Sequence, residues 1–190
     1  MTIFFLNLGI QPDLENKKHI VGRFLKPEAR KDIVDAMRAQ SIVPTAMIDI
    51  SDGLSSEILH ICNQSNCGAI IYENEIPIHP ESYDQALIFN MDPTVCALNG
   101  GEDYELLFTI DPKHATAIAQ IPNVSVIGKI VPQANGTFLK TKNDNYLRYK
   151  PRDGKVLSRK INRRDKIIYY ILYLQQIQTT RKFHVHVVRY

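Results

Sequence analysis

Apolar and polar positions along the chain switch between a helical and a strand-like period. Ala29, Ile33 and Met37 follow one another at spacings of four behind Pro27-Glu28, which predicts a helix from Pro27 to about Ser41. Proline suits a first turn, and Glu28 suits the positive end of the helix dipole. Pro44 breaks this stripe, and Thr45 to Ile50 reads as a short buried strand. Leu54, Ile58, Ile61 and Cys62 then recur at helical spacing, so a second helix should stop near Asn66 or Gly68. Ala69 to Tyr72 predicts a strand, Pro80 to Phe89 a helix with Tyr83, Leu87 and Ile88 inward, and Tyr104 to Ile110 another strand. Pro112 to Gln120 is helical in pattern. Val124 to Val131 is a strand interrupted by Gly128, with Thr137 to Lys140 as its expected hairpin partner across Asn135-Gly136. Gln11 to Leu25 has no clean period. Helices and strands interleaved in this way predict an α/β (α+β) sandwich, a mixed sheet of four to six strands packed with helices.

Composition adds bounds. A chain of 190 residues, 44% hydrophobic, fits one domain with a real core. Ile3-Phe4-Phe5-Leu6 is too short for a spanning helix or a cleaved leader, so no membrane role and a cytoplasmic location are expected. Cys62, Cys67 and Cys96 are an odd number without a CxxC pair, which favours free thiols over a disulfide frame. The net charge of +3 hides two unlike parts: residues 1–147 carry 11 Lys/Arg against 18 Asp/Glu, and residues 148–190 carry 12 against 2. The basic tail has no recognisable nucleic-acid module, and no nucleic-acid partner is expected.

Two short runs carry the chemistry. The first, Ile48 to Leu54, ends a strand-like stretch with Asp49 and enters a helix through Ser51-Asp52-Gly53. Free backbone N–H groups at such a helix start favour anions, and two carboxylates three residues apart suit Mg²⁺, which takes few protein ligands plus substrate oxygens. Helix capping by Ser51 or Asp52 is the plainer alternative. Asp49 weighs against it, because a carboxylate inside a buried apolar run is costly unless a cation or donors satisfy it. The second run, Leu98 to Phe108, places Gly100-Gly101 before Glu102, Asp103 and Glu105. The glycines allow close backbone approach or positive φ. In an extended strand, Glu102 and Tyr104 would share one face and Asp103 and Glu105 the other.

These two runs, in this order and about 50 residues apart, resemble the thiamine-monophosphate kinase family, within the superfamily of aminoimidazole ribonucleotide synthetase. Gln11-Pro12-Asp13-Leu14, Arg23 to Arg30, Tyr72-Glu73, Ile76-Pro77-Ile78 and Val126-Ile127-Gly128 extend the likeness over residues 8–146. It covers only the family's C-terminal domain. The resemblance implies Asp49 and Asp52 as Mg²⁺ ligands, Ser51 as an ATP contact and Glu102 as a contact for thiamine monophosphate, with no further catalytic side chain. It implies ATP-dependent phosphorylation of thiamine monophosphate to thiamine diphosphate, and a homodimer in the intact family. The rival expectations are another ATP-using enzyme of the superfamily and a non-catalytic nucleotide-binding fragment.

Residues 1–26 are then expected as the linker remnant of a missing N-terminal domain, 27–147 as the synthetase-related C-terminal domain, and 148–190 as an irregular basic tail. The family tends to close with a run like Lys-Ala-Gln-Gly-Trp-Lys, where this chain has Lys150-Pro151-Arg152-Asp153-Gly154 and no tryptophan. A one-base slip in codons for the family's run yields the observed one, so residues 150–190 are expected to be out of frame. Ile167 to Ile177 is apolar enough for a helix. With half of the family's site absent, the chain alone is expected to have negligible kinase activity.

Overall fold

The computed structural model describes residues 18–149 and 169–174. Helix α1 spans Lys18–Leu25 and α2 Lys31–Ala39, followed by strand β1, Ala46–Asp49. Helix α3 (Leu54–Gln64) leads into β2 (Cys67–Tyr72), and α4 (Pro80–Ile88) and α5 (Pro93–Asn99) precede β3 (Leu106–Ile110). A short α6 (Ala115–Ile118) is followed by β4 (Val124–Pro132), β5 (Thr137–Lys140), β6 (Tyr146–Arg148) and β7 (Tyr169–Leu174).

The strands form one mixed sheet in the order β1-β3-β7-β4-β2-β5-β6, with β2 and β5 parallel and every other neighbouring pair antiparallel. Among the described residues it therefore has seven strands rather than four to six. The seventh is Tyr169–Leu174, which pairs with β3 on one side and β4 on the other where a helix was expected. Its aromatic and branched residues suit a strand, and two open backbone edges supply the pairing. The rest of the expected irregular tail, and residues 1–17 of the expected linker, lie outside the described residues.

Helices cover both faces. Ile50, Leu54, Ile58, Ile61, Ala97 and Leu98 pack with Leu107 and Ile127 on one side, whereas Ile33, Met37, Ile118 and Ile121 pack with Phe108, Ile110, Val124 and Val126 on the other. Neighbouring residues of β3 and β4 thus face opposite cores, which is why both strands are near-continuous apolar runs. The stripe of α3 is as the sequence predicted, with Leu54, Ile58, Ile61 and Cys62 buried. Cys62 and Cys96 are buried free thiols and Cys67 is half-buried.

Three local expectations are corrected. Thr137–Lys140 does not fold back on β4, whose two edges are taken by β2 and β7; it crosses to the far edge of β2 and runs parallel to it. Helix α4 buries Ser82, Gln85 and Ala86 and leaves Tyr83, Leu87 and Ile88 exposed. Small Ala86 meets Cys96 of α5, so close approach decides which face turns inward. Helix α2 starts at Lys31 rather than Pro27, leaving Ala29 exposed and Arg30 buried. Among the described residues no helix is long and apolar enough to cross a membrane.

Candidate functional site

Strand β1 is an edge strand, and its C-terminal end at Asp49 pairs with the first residue of β3, Leu106. This register brings together the two runs singled out by their acids and glycines. The Glu102 N–H donates to the Ser51 carbonyl at 2.7 Å, the Tyr104 N–H to the Ile50 carbonyl at 2.9 Å, and the Ile50 N–H to the Glu105 carbonyl at 2.9 Å. The two loops are one structure, continuing the β1–β3 ladder beyond the strands.

Glycine is required where they touch. A Cβ on Gly101 would stand 2.5 Å from the Ser51 carbonyl oxygen, closer than packed atoms approach. Gly53 has φ +113° and caps α3, and a Cβ there would crowd the backbone of Leu98 and Asn99 at the end of α5. Glu102 and Tyr104, not the glycines before them, take the left-handed conformation of the second loop, with φ of 62° and 52°. Residues 101–105 are therefore not an extended strand, although Glu102 and Tyr104 still come together: the Tyr104 hydroxyl donates to Glu102 Oε2. Left-handed side-chain-bearing residues cost about 1–3 kcal/mol each and persist only where their surroundings hold them.

Asp49 and Asp52 are both exposed, and Ser51 is half-buried. The expectation that Asp49 sits in a buried run is thus corrected. On an edge strand, Met47 and Asp49 face outward while Ala46 and Ile48 turn to the core. Desolvation exerts no pressure on Asp49 to find a cation. Tyr104's hydroxyl is held above its ordinary pKa by its bond to Glu102, by loss of solvent and by the charges of Glu102 and Asp49, so these three groups form one acidic patch. The Asp52 backbone also borders Gly101, its Cα standing 3.5 Å from where a Cβ would be.

Among the described residues no three His, Cys, Asp or Glu side chains are grouped to hold a metal by themselves. Asp49 and Asp52 are exposed carboxylates, the oxygen-donor type that a hard cation such as magnesium takes beside waters and phosphate oxygens.

Sequence reasoning missed Glu57 and named Glu105 only as one acid of the second run, without its buried partners. Glu57 on α3 is buried and accepts the Asp52 N–H at 3.1 Å. Glu105 is buried between two guanidiniums, with Arg23 Nη2 at 2.5 Å and Arg30 Nη1 at 2.7 Å. Arg30, itself 5% exposed, also pairs bidentately with Asp32, and Arg23 donates to the Asp103 carbonyl at 3.0 Å. Burial pushes the Glu105 carboxyl up against the pull of both arginines. For Arg30, burial is outweighed by Asp32 and Glu105, which hold its pKa above the ordinary value. Arg23 and Arg30 lie in a stretch that resembles the family, but no local pattern marks either as a partner of Glu105.

Residues 8–140 match the family model described as AIR synthase related protein, C-terminal domain. A thiamine-monophosphate kinase of Buchnera aphidicola (subsp. Acyrthosiphon pisum) is 36% identical over 140 residues, covering 71% of this chain and 40% of the relative. The thiamine-monophosphate kinase of Pyrococcus abyssi is 39% identical over 114 residues, covering 60% of this chain and 34% of its own length. This chain thus spans about two fifths or less of the length of these relatives. Among solved structures, thiamine monophosphate kinase from Aquifex aeolicus superposes with a TM-score of 0.59 at 26% identity, covering 73% of this chain and 44% of that one. AaThiL complexed with AMPPCP and TMP gives 0.61 at 24% identity, covering 84% and 47%, a likeness of fold. With the family model spanning most of its length and the same fold in solved relatives, the chain belongs to the C-terminal domain family of AIR synthase related proteins.

Proposed function

We propose that this chain is the acceptor-side part of a thiamine-monophosphate kinase, which passes a phosphoryl group from ATP to thiamine monophosphate. One observation carries the reading. The backbone bonds from Glu102 to Ser51 and from Tyr104 to Ile50 put the acids of both motifs on a single rim of the sheet. The names of the relatives supply the substrate. In this reading Asp49 and Asp52 hold Mg²⁺, Ser51 contacts ATP and Glu102 contacts thiamine monophosphate.

The residues fit chemistry that needs little proton transfer. A phosphate monoester with a second pKa near 6 is already largely a dianion at neutral pH, so it needs no general base. The obstacle is repulsion between two anionic groups, and magnesium supplies charge neutralisation there when bound. Asp49 and Asp52 contribute its carboxylate donors. Glu102, tied to Tyr104, sets the orientation of the acceptor. The intact enzyme works as a cytoplasmic homodimer.

Calorimetry with thiamine monophosphate tests the reading. The chain should bind it, and Glu102→Gln should weaken binding about tenfold, in line with loss of one charge-assisted hydrogen bond. Stabilisation by an aminoimidazole ribonucleotide or by selenide, with none by thiamine monophosphate, would assign a different acceptor. Turnover by residues 1–190 above an Asp49→Asn control would overturn the expected inactivity.

A further inference from the structure

The loop that presents Glu102 is held by groups that do not face the rim. Glu105 turns inward and meets Arg23 from α1 and Arg30 from the residue before α2. Its backbone carbonyl simultaneously receives the Ile50 N–H. Arg30 is locked in turn by both oxygens of Asp32, at 3.0 and 2.9 Å, so its third donor is aimed at Glu105 with little freedom. Arg23 is delivered by α1, which docks on α4: Glu81 accepts the His19 and Ile20 N–H groups at 3.0 and 3.3 Å, and the His19 and His79 rings stack at 3.4 Å. Two arginines from separate parts of the chain thus converge on one buried carboxylate, whose residue is also held through its backbone carbonyl at the end of β1. The residues immediately before it include two in the left-handed conformation, which need outside support.

We propose that Arg23 and Arg30 are positioning residues, which clamp Glu105 and so hold the 101–104 loop in the shape that sets Glu102 and Tyr104 beside Asp49. Both arginines act through Glu105 and not on the acceptor. The substrate part of this inference rests on the reading of Glu102 given above, but the loop's shape can be measured without any substrate.

The test compares Arg30→Ala, Arg30→Lys and Arg23→Ala with the parent chain, using amide hydrogen exchange and calorimetry with thiamine monophosphate. In Arg30→Ala, exchange at the Glu102 and Tyr104 amides should quicken at least tenfold more than at the α3 amides, Ile58 to Gln64. Affinity should fall about tenfold. Arg30→Lys keeps the charge but not the fork that reaches both carboxylates, so it should recover only part of each effect. Arg23→Ala, at the more exposed arginine, should give the smaller version of the same pattern in a chain that stays folded. A loss confined to global stability would raise exchange in α3 as well. Unchanged exchange at Glu102 and Tyr104 in both alanine variants would overturn the clamp, as would a uniform rise across α3 and the loop. If the parent chain fails to bind thiamine monophosphate, the acceptor assignment falls, and the exchange rates alone still decide the clamp.

Discussion

The two loops at the rim use the same residue types and are built in opposite ways. Each shows carboxylates to solvent, Asp49 and Asp52 in the first, Glu102 in the second, and each rests on one buried carboxylate. Under the first loop, Glu57 accepts a neutral backbone N–H from Asp52. Under the second, Glu105 accepts from two guanidiniums drawn from distant parts of the chain. The first loop is therefore a local product of a strand end and a helix start. The second is a long-range product, and its left-handed residues and buried ion pairs make it the more dependent on tertiary contacts. An acidic residue's role here follows from what faces it, not from its place in a motif.

Removing the support of each loop in turn should expose this asymmetry most strongly. Arg30→Ala leaves a buried carboxylate with one partner fewer and should cost about 3–5 kcal/mol. Glu57→Gln keeps an acceptor for Asp52 and loses only charge assistance, so about 1 kcal/mol is expected. Urea unfolding of both variants measures the difference, and equal losses would erase the contrast.

Gly101→Ala attacks the seam that both loops share. The new Cβ would force the Ser51 carbonyl away, at about 1–3 kcal/mol for overpacking a site that must shift. Chemical-shift changes should then spread to Asp52 and Glu102 alike. Changes limited to the second loop would mean that the seam is softer than its hydrogen bonds suggest.

The smallest expected effect comes from acid. His19 is pushed down to about 4, mainly by burial, then by His79, against the pull of Glu81 and with a further push from Arg23. His79 is also lowered by burial, with Glu81 opposing. A histidine whose pKa is lower folded than unfolded contributes stability that is full above about 6.5 and is lost as pH falls toward 4. Helix α1, which carries Arg23, should therefore loosen over that window before the rest unfolds. Histidine titration by NMR with amide exchange along Ile20 to Leu25 checks this. The first loop has no such tie and should not respond.

Much of the rim could be read from the chain because its cues are local. The stripe of α3 and the strand end at Asp49 needed only spacing and residue type, and the pairing of the motifs is what the family resemblance implies. The clamp could not be read that way. Arg30 and Glu105 are 75 positions apart, and nothing in either neighbourhood marks the arginine as buried. Arg30 even disturbed the local signal, since turning inward gives it non-helical φ and ψ of −78° and 51° and delays α2 past the helix-like Pro27. Asp49 was misjudged for the related reason that an apolar run does not say whether its strand lies at a sheet's edge. The frame of residues 150–190 is open to a direct check, because the coding DNA either carries the alternative motif one base away or does not.

Periodicity and residue chemistry alone marked α2, β1, α3, β2, α4, β3 and β4, but not α1, α5 or the strand at Tyr169–Leu174, and the family resemblance paired the two acidic glycine loops. Only the tertiary structure decided the neighbours. It set β5 parallel to β2, inserted Tyr169–Leu174 between β3 and β4, turned Tyr83 outward and buried Glu105 between two arginines. The physical reason is the range of the forces involved. Backbone periods and caps act within a turn or two, whereas edge pairing, close packing of small residues and the pairing of buried charges exist only once distant segments have met.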